Sequence, residues 1–85
     1  MAYRVELRPS AARELARLPR DERERVDARI LSLADDPRPM GAIKLHDRSG
    51  EHRARVGDYR IVYVIDDAAR LVTVTQIGNR RDVYR

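Results

Sequence analysis

Between Ala11 and Leu33 the apolar residues recur every three or four positions, and after Gly41 they recur every second position. The first spacing lays one apolar stripe along a helix and the second lays one apolar face on a strand. A chain that changes period once in this way builds its helices first and its sheet afterwards. An opening segment of Tyr3, Val5 and Leu7 alternating with Arg4, Glu6 and Arg8 adds one strand ahead of the helices.

The punctuation refines this outline. Pro9-Ser10 ends the first strand, Ser10 is the expected N-cap, and Ala11, Leu15 and Leu18 form one face of a short helix that Pro19 stops. Asp21 followed by Glu24 reads as a capping box, after which Val26, Ile30 and Leu33 form a second stripe that ends at residues 35–39. Strands are expected over residues 43–46, 51–56, 59–65 and 71–77, separated by Asp47-Arg48-Ser49-Gly50, Gly57-Asp58 and Asp66-Asp67-Ala68-Ala69. Residues 82–85 form a tail or a last short strand. The reading is α+β: an N-terminal strand, an antiparallel helix hairpin, and then one mainly antiparallel sheet with both helices on one face. The other face is left for function. At 85 residues, with no linker, repeat or shift in composition, residues 1–85 are expected to be a single domain.

Several classes of function drop out. The absence of cysteine removes disulfides, Cys-zinc sites and thiol catalysis, and suits a reducing compartment. The charged start does not read as a signal peptide and no apolar run is long enough to span a bilayer, so a cytoplasmic protein without a membrane partner is expected. His46 and His52 bracket a turn without metal-ligand spacing, so neither a metal nor any other cofactor is expected. The isolated glycines do not form a phosphate loop, and Ser10, Ser32 and Ser49 lack the neighbours of a nucleophilic triad. A small core without staples also favours a binding partner that stabilises the folded form.

What remains is charge. The net charge is +4, and of 18 basic residues all but Lys44 are arginine, the side chain suited to planar, bidentate recognition of phosphate. GC-rich coding accounts equally well for the overall arginine bias. The local cluster says more: Arg53 and Arg55 share a face of an extended strand, Arg60 follows the next turn, and Arg80 and Arg81 come late in the chain. These can be ordinary solvated arginines paired with Asp58 and Asp82, or a surface for RNA phosphate. Strand scission by a 2′-hydroxyl needs a base, positive donors for the phosphorane and an acid for the leaving 5′-oxygen. Arginine supplies the donors but stays protonated. His52 is the candidate base, alone or with His46 across a hairpin, and Tyr84 can stack on a nucleobase.

The run Arg53-Ala54-Arg55-Val56-Gly57-Asp58-Tyr59-Arg60-Ile61-Val62-Tyr63, followed by Gly78-Asn79-Arg80-Arg81-Asp82-Val83-Tyr84, resembles the signature of the RelE/ParE toxin superfamily. Leu15-Ala16-Arg17-Leu18-Pro19 and Asp35-Asp36-Pro37 extend the resemblance over nearly the whole chain. It implies a toxin of a type II toxin–antitoxin module with a RelE-like fold. RelE-type members cut mRNA in the A site of the small ribosomal subunit without a metal, and a RelB-like antitoxin neutralises them. ParE-type members share the fold and poison DNA gyrase, and an inactive antitoxin-binding relative is a third alternative. By the resemblance, Arg60 stabilises the transition state, Arg80 acts as acid or charge stabiliser, and Tyr84 positions the nucleotide. Arg53 and Arg55 occupy positions where relatives often carry lysines, one of them proposed as the base. Here they are read as holding phosphate, with Lys44 and Arg81 as further phosphate contacts.

Overall fold

In a computed structural model, residues 3–45 and 50–79 are described. Strand β1 (Arg4–Leu7) leads into helices α1 (Pro9–Arg17) and α2 (Arg20–Ser32), followed by strands β2 (Ile43–Lys44), β3 (Glu51–Val56), β4 (Tyr59–Asp66) and β5 (Leu71–Asn79). The sheet order is β1-β5-β4-β3-β2. All neighbouring strands are antiparallel except β1 and β5, which run parallel with Val5 opposite Val72 and Leu7 opposite Val74. The α+β architecture read from the periodicity is the one observed.

The helix ends differ from the expected caps for a reason that lies in the prolines. Pro9 occupies the first turn of α1, where its fixed φ fits and its missing N–H costs nothing. The cap therefore falls on Arg8 and Ser10 lies inside the helix. Leu18, held extended by the following proline, ends α1, and Pro19 is itself the cap of α2. Asp21 thus sits in the first turn, where it favours the helix dipole, and no capping box forms. Glu24 instead meets Arg20 at 3.5 Å.

Helix α1 lies on β1 and β5, and α2 lies over β3 and β4. Their buried residues Ala11, Val26 and Ile30, with Leu33 just beyond α2, close on Ala54, Ile61, Tyr63, Ile65, Val72, Val74 and Ile77 from one face of the sheet. A β-bulge between Val62 and Tyr63 lets Thr75 stand out of register, with its Oγ1 donating to the Val62 carbonyl at 3.2 Å. The bulge keeps both Val74 and Ile77 on the core side despite their odd separation.

An exposed clasp joins three distant segments. Arg38 donates two hydrogen bonds to Asp67, at 2.8 and 3.3 Å, and the Tyr3 hydroxyl donates to the same carboxylate at 2.5 Å. The Arg38 and Tyr3 bonds hold the Asp67 carboxyl below its ordinary range, whereas the Asp67 bond raises the Tyr3 hydroxyl above its own. The Asp67 contribution to stability is therefore present above the unfolded aspartate value, near 4, and lost as pH falls through the folded one. The Tyr3 contribution is present below about pH 10 and lost as pH rises through its folded value. Asp67→Asn is expected to melt a few degrees lower at neutral pH, a modest gap because the pair is solvated. Melting curves between pH 3 and 7 should show the gap closing towards the acid end; a constant gap would refute the linkage.

Candidate functional site

Alternation along β3 and β4 sorts their side chains by face. Ala54, Ile61 and Tyr63 point into the core, so Arg53, Arg55, Arg60 and Val62 point to the face that carries no helix. Across the hairpin Arg55 pairs with Arg60 and Arg53 pairs with Val62, and on the far side of β4 Arg60 pairs with Gly78. Directly opposed residues of an antiparallel pair carry their Cβ atoms about 4.5–5.5 Å apart. Three arginine side chains thus leave the backbone on the same face near one end of the sheet. Arg55 is exposed, Arg53 is half-buried and Arg60 is only 4% exposed. Asp58, the expected neutralising partner, makes no ion pair among the described residues.

The turn that brings Arg55 and Arg60 together is Gly57-Asp58, with Gly57 at φ +57°. A two-residue hairpin requires a positive φ there, which glycine adopts without strain. Arg25 of α2 lies against this turn, so that a Cβ at position 57 would sit 3.2 Å from its Nη2. Next to the turn, the Tyr59 hydroxyl donates to the Glu22 carboxylate, also on α2. That bond, followed by burial, raises the Tyr59 hydroxyl above its ordinary pKa. In the sequence Tyr59 stands out only as part of a longer motif. Nothing in a pair 37 positions apart marks it as bonded.

Two expected site residues fall elsewhere. His52 alternates with Arg53 and so faces the helix side, where it is 7% exposed. Its ring stacks on Tyr63 at a centroid distance of 5.7 Å, and its Nδ1 donates to the Gly50 carbonyl at 2.8 Å. The thickness of the sheet separates it from the arginines, and the expected role as base on their surface does not fit this placement. Lys44 is opposite His52, hence also on the helix side and exposed at the sheet edge, whereas its neighbour Ile43 is the residue beside Arg53. Arg80, Arg81, Tyr84 and His46 lie outside the described residues, as does Asp82. Among the described residues no group of three His, Asp or Glu side chains is placed to hold a metal ion. No helix among them is long and apolar enough to cross a membrane.

The sequence and the fold have counterparts in known proteins. Residues 5–84 match the family model described as the ParE toxin of the type II toxin–antitoxin system, parDE. The chain is 38% identical to toxin RelE of Mycobacterium tuberculosis over 98% of its own length and 87% of that protein's. Its fold superposes on a chain of the RelE–RelB complex of Pyrococcus horikoshii with a TM-score of 0.85 at 27% identity, covering 94% of this chain and 97% of that one. The RelBE2 toxin–antitoxin complex of Mycobacterium tuberculosis gives 0.82 at 28% identity, covering 94% and 93%.

Proposed function

The chain belongs to the RelE/ParE superfamily of type II toxin–antitoxin toxins, and from that premise we propose that it is a ribosome-dependent endoribonuclease that cuts mRNA in the A site. The observation that carries this reading is the convergence of Arg53, Arg55 and Arg60 on the sheet face that the helices leave open. In the proposed reaction the 2′-hydroxyl of one nucleotide attacks the adjacent phosphorus. Its proton passes to an acceptor, the P–O5′ bond breaks, and the products are a 2′,3′-cyclic phosphate and a 5′-hydroxyl. The reaction requires no metal or other cofactor. Arg60 and Arg55 bear on the phosphorane, where charge accumulates, and Arg53 grips a flanking phosphate. By the family pattern Arg80 protonates or neutralises the leaving oxygen, Tyr84 positions the nucleotide and Arg81 adds a phosphate contact.

This assignment leaves the proton acceptor off the described part of the face. Arginine remains protonated at neutral pH, and His52 lies on the other side of the sheet. A face whose described residues stabilise the phosphorane but offer no base is suited to work where an RNA scaffold holds the message in line for attack, which gives the proposed dependence on the ribosome a physical reason. In the cytoplasm the toxin's partner in the resting state would be a RelB-like antitoxin, since proteins of similar fold occur in toxin–antitoxin complexes.

Primer extension on one message, translated and naked, tests the proposal. Cuts confined to the translated message are expected. An intact message under both conditions would overturn the reading, and equal cutting of naked RNA would replace it with a free ribonuclease. The ParE description of the matching family model favours a second reading, a non-catalytic toxin that binds gyrase. Inhibition of supercoiling with the message left intact would select it.

A further inference from the structure

Arg60 and Tyr59 are consecutive on β4 and point to opposite faces of the sheet: the arginine to the proposed RNA surface, the tyrosine towards α2. Tyr59 pairs with Val56 on one side and with Asn79 on the other, so it sits where β3 ends, β4 begins and β5 ends. Its hydroxyl donates to Glu22 in the first turn of α2, and one helical turn further along Arg25 lies against Gly57 of the hairpin turn. The end of the hairpin that presents Arg55 and Arg60 is thus tied through the sheet to the helix layer at two points. A two-residue turn at the tip of a hairpin otherwise has only its ladder bonds to hold it, and ends of this kind open locally at little cost.

We infer that Tyr59 and Glu22 are positioning residues for the arginine face: their hydrogen bond fixes the register and tilt of the Val56–Tyr59 end of the hairpin, and through it the guanidinium groups of Arg55 and Arg60. The inference rests on the proposed RNA-cleaving role of that face and adds a control from the opposite side of the sheet. Neither residue touches RNA. The bond acts on the rate of the chemical step, because a misplacement of about 1 Å at the reacting centre can cost as much as a hundredfold. Binding, which depends on net positive charge over the whole face, is unaffected because both residues leave that charge in place.

The test compares Tyr59→Phe, Glu22→Ala, Glu22→Gln and the Tyr59→Phe/Glu22→Ala double variant on ribosomes programmed with one mRNA. Hydrogen exchange of the amides of residues 55–60 and melting temperatures are measured in parallel. Tyr59→Phe and Glu22→Ala are each expected to lower kcat about tenfold with KM unchanged and to speed exchange at residues 55–60. The double variant should be no worse than either single one, because both remove the same bond. Glu22→Gln keeps an acceptor and should restore most of the rate lost in Glu22→Ala. Multiplicative losses in the double variant, a rise in KM in place of a fall in kcat, or unchanged exchange would overturn the inference. Arg60→Ala serves as the control. If it is inactive while Tyr59→Phe cuts at the wild-type rate, only the positioning role is refuted. If Arg60→Ala cuts normally, the reading of the face fails and the inference falls with it.

Discussion

Arg60→Ala is expected to cut translated mRNA a hundred to a thousand times more slowly than the wild type, on the order of what losing one dedicated donor to a developing oxyanion costs, while retaining its fold. Arg60 sits between Arg55 and Gly78 in one cross-strand row and is 4% exposed, so its guanidinium is held in place before substrate arrives. A charge in that setting needs little reorganisation when the phosphorane forms and is weakly screened by solvent. Arg55, exposed on the neighbouring strand, is more strongly screened and should matter less. Arg60→Lys should recover little of the lost rate, because a single ammonium cannot reproduce the two-pronged contact of a guanidinium with phosphate oxygens. Truncating a side chain this buried also lowers the melting temperature, so cleavage is compared well below the variant's own melt. Single-turnover cleavage on programmed ribosomes, with circular dichroism melting alongside, measures both quantities. Cleavage within a few-fold of the wild type by a folded Arg60→Ala protein would remove Arg60 from the mechanism.

The periodicity that exposed this face also contained the information that separates His52 from it. Within a strand over residues 51–56, Arg53 and Arg55 share one side and His52 and Ala54 the other, and an alanine between two arginines marks the buried side. Titration range drew attention to His52, but parity decides its place. Lys44 is different, because its face depends on the register of β2 against β3. That register is set by the connection between them, and nothing in the two residues Ile43 and Lys44 specifies it. The helix starts were missed by two residues because a proline, in the first turn of α1 and at the cap of α2, outweighs a nearby Ser or Asp as a signal for where a helix begins. The core was legible in Val26, Ile30, Leu33 and the β-branched strand residues, since each needs only its own period to be assigned. The tie between Tyr59 and Glu22 and the clasp of Tyr3, Arg38 and Asp67 join residues far apart in the chain, and pairings of that kind appear only once the fold exists.

Tyr63→Ala is expected to be the most destabilising of the substitutions considered. Tyr63 is fully buried, heads the fully buried side chains by volume, and lies in the core beside its cross-strand neighbour His52, whose ring stacks on it. Its hydroxyl donates to the Pro37 carbonyl at 2.8 Å and so ties β4 to the segment leaving α2. Truncating a buried aromatic ring costs about 3–5 kcal/mol. The whole stability of a small domain is about 5–15 kcal/mol, and a chain of this size falls near the lower end. At roughly 4–8 °C per kcal/mol, the loss lowers the melting temperature by about 12–40 °C. Tyr63→Phe isolates the hydroxyl: it keeps the ring and its stacking but leaves the buried carbonyl unsatisfied, for about 1–3 kcal/mol. The two variants also separate His52 as a core residue from His52 as a chemical group. Its packing depends on the ring that Phe retains, so the Phe variant should cut mRNA at close to the wild-type rate below its melting temperature, whereas the Ala variant should lose activity only in step with its folded fraction. Thermal melts and cleavage assays on the same preparations distinguish these outcomes. A folded Tyr63→Phe protein with cleavage reduced a hundredfold would mean that the helix side of the sheet takes part in the chemistry after all.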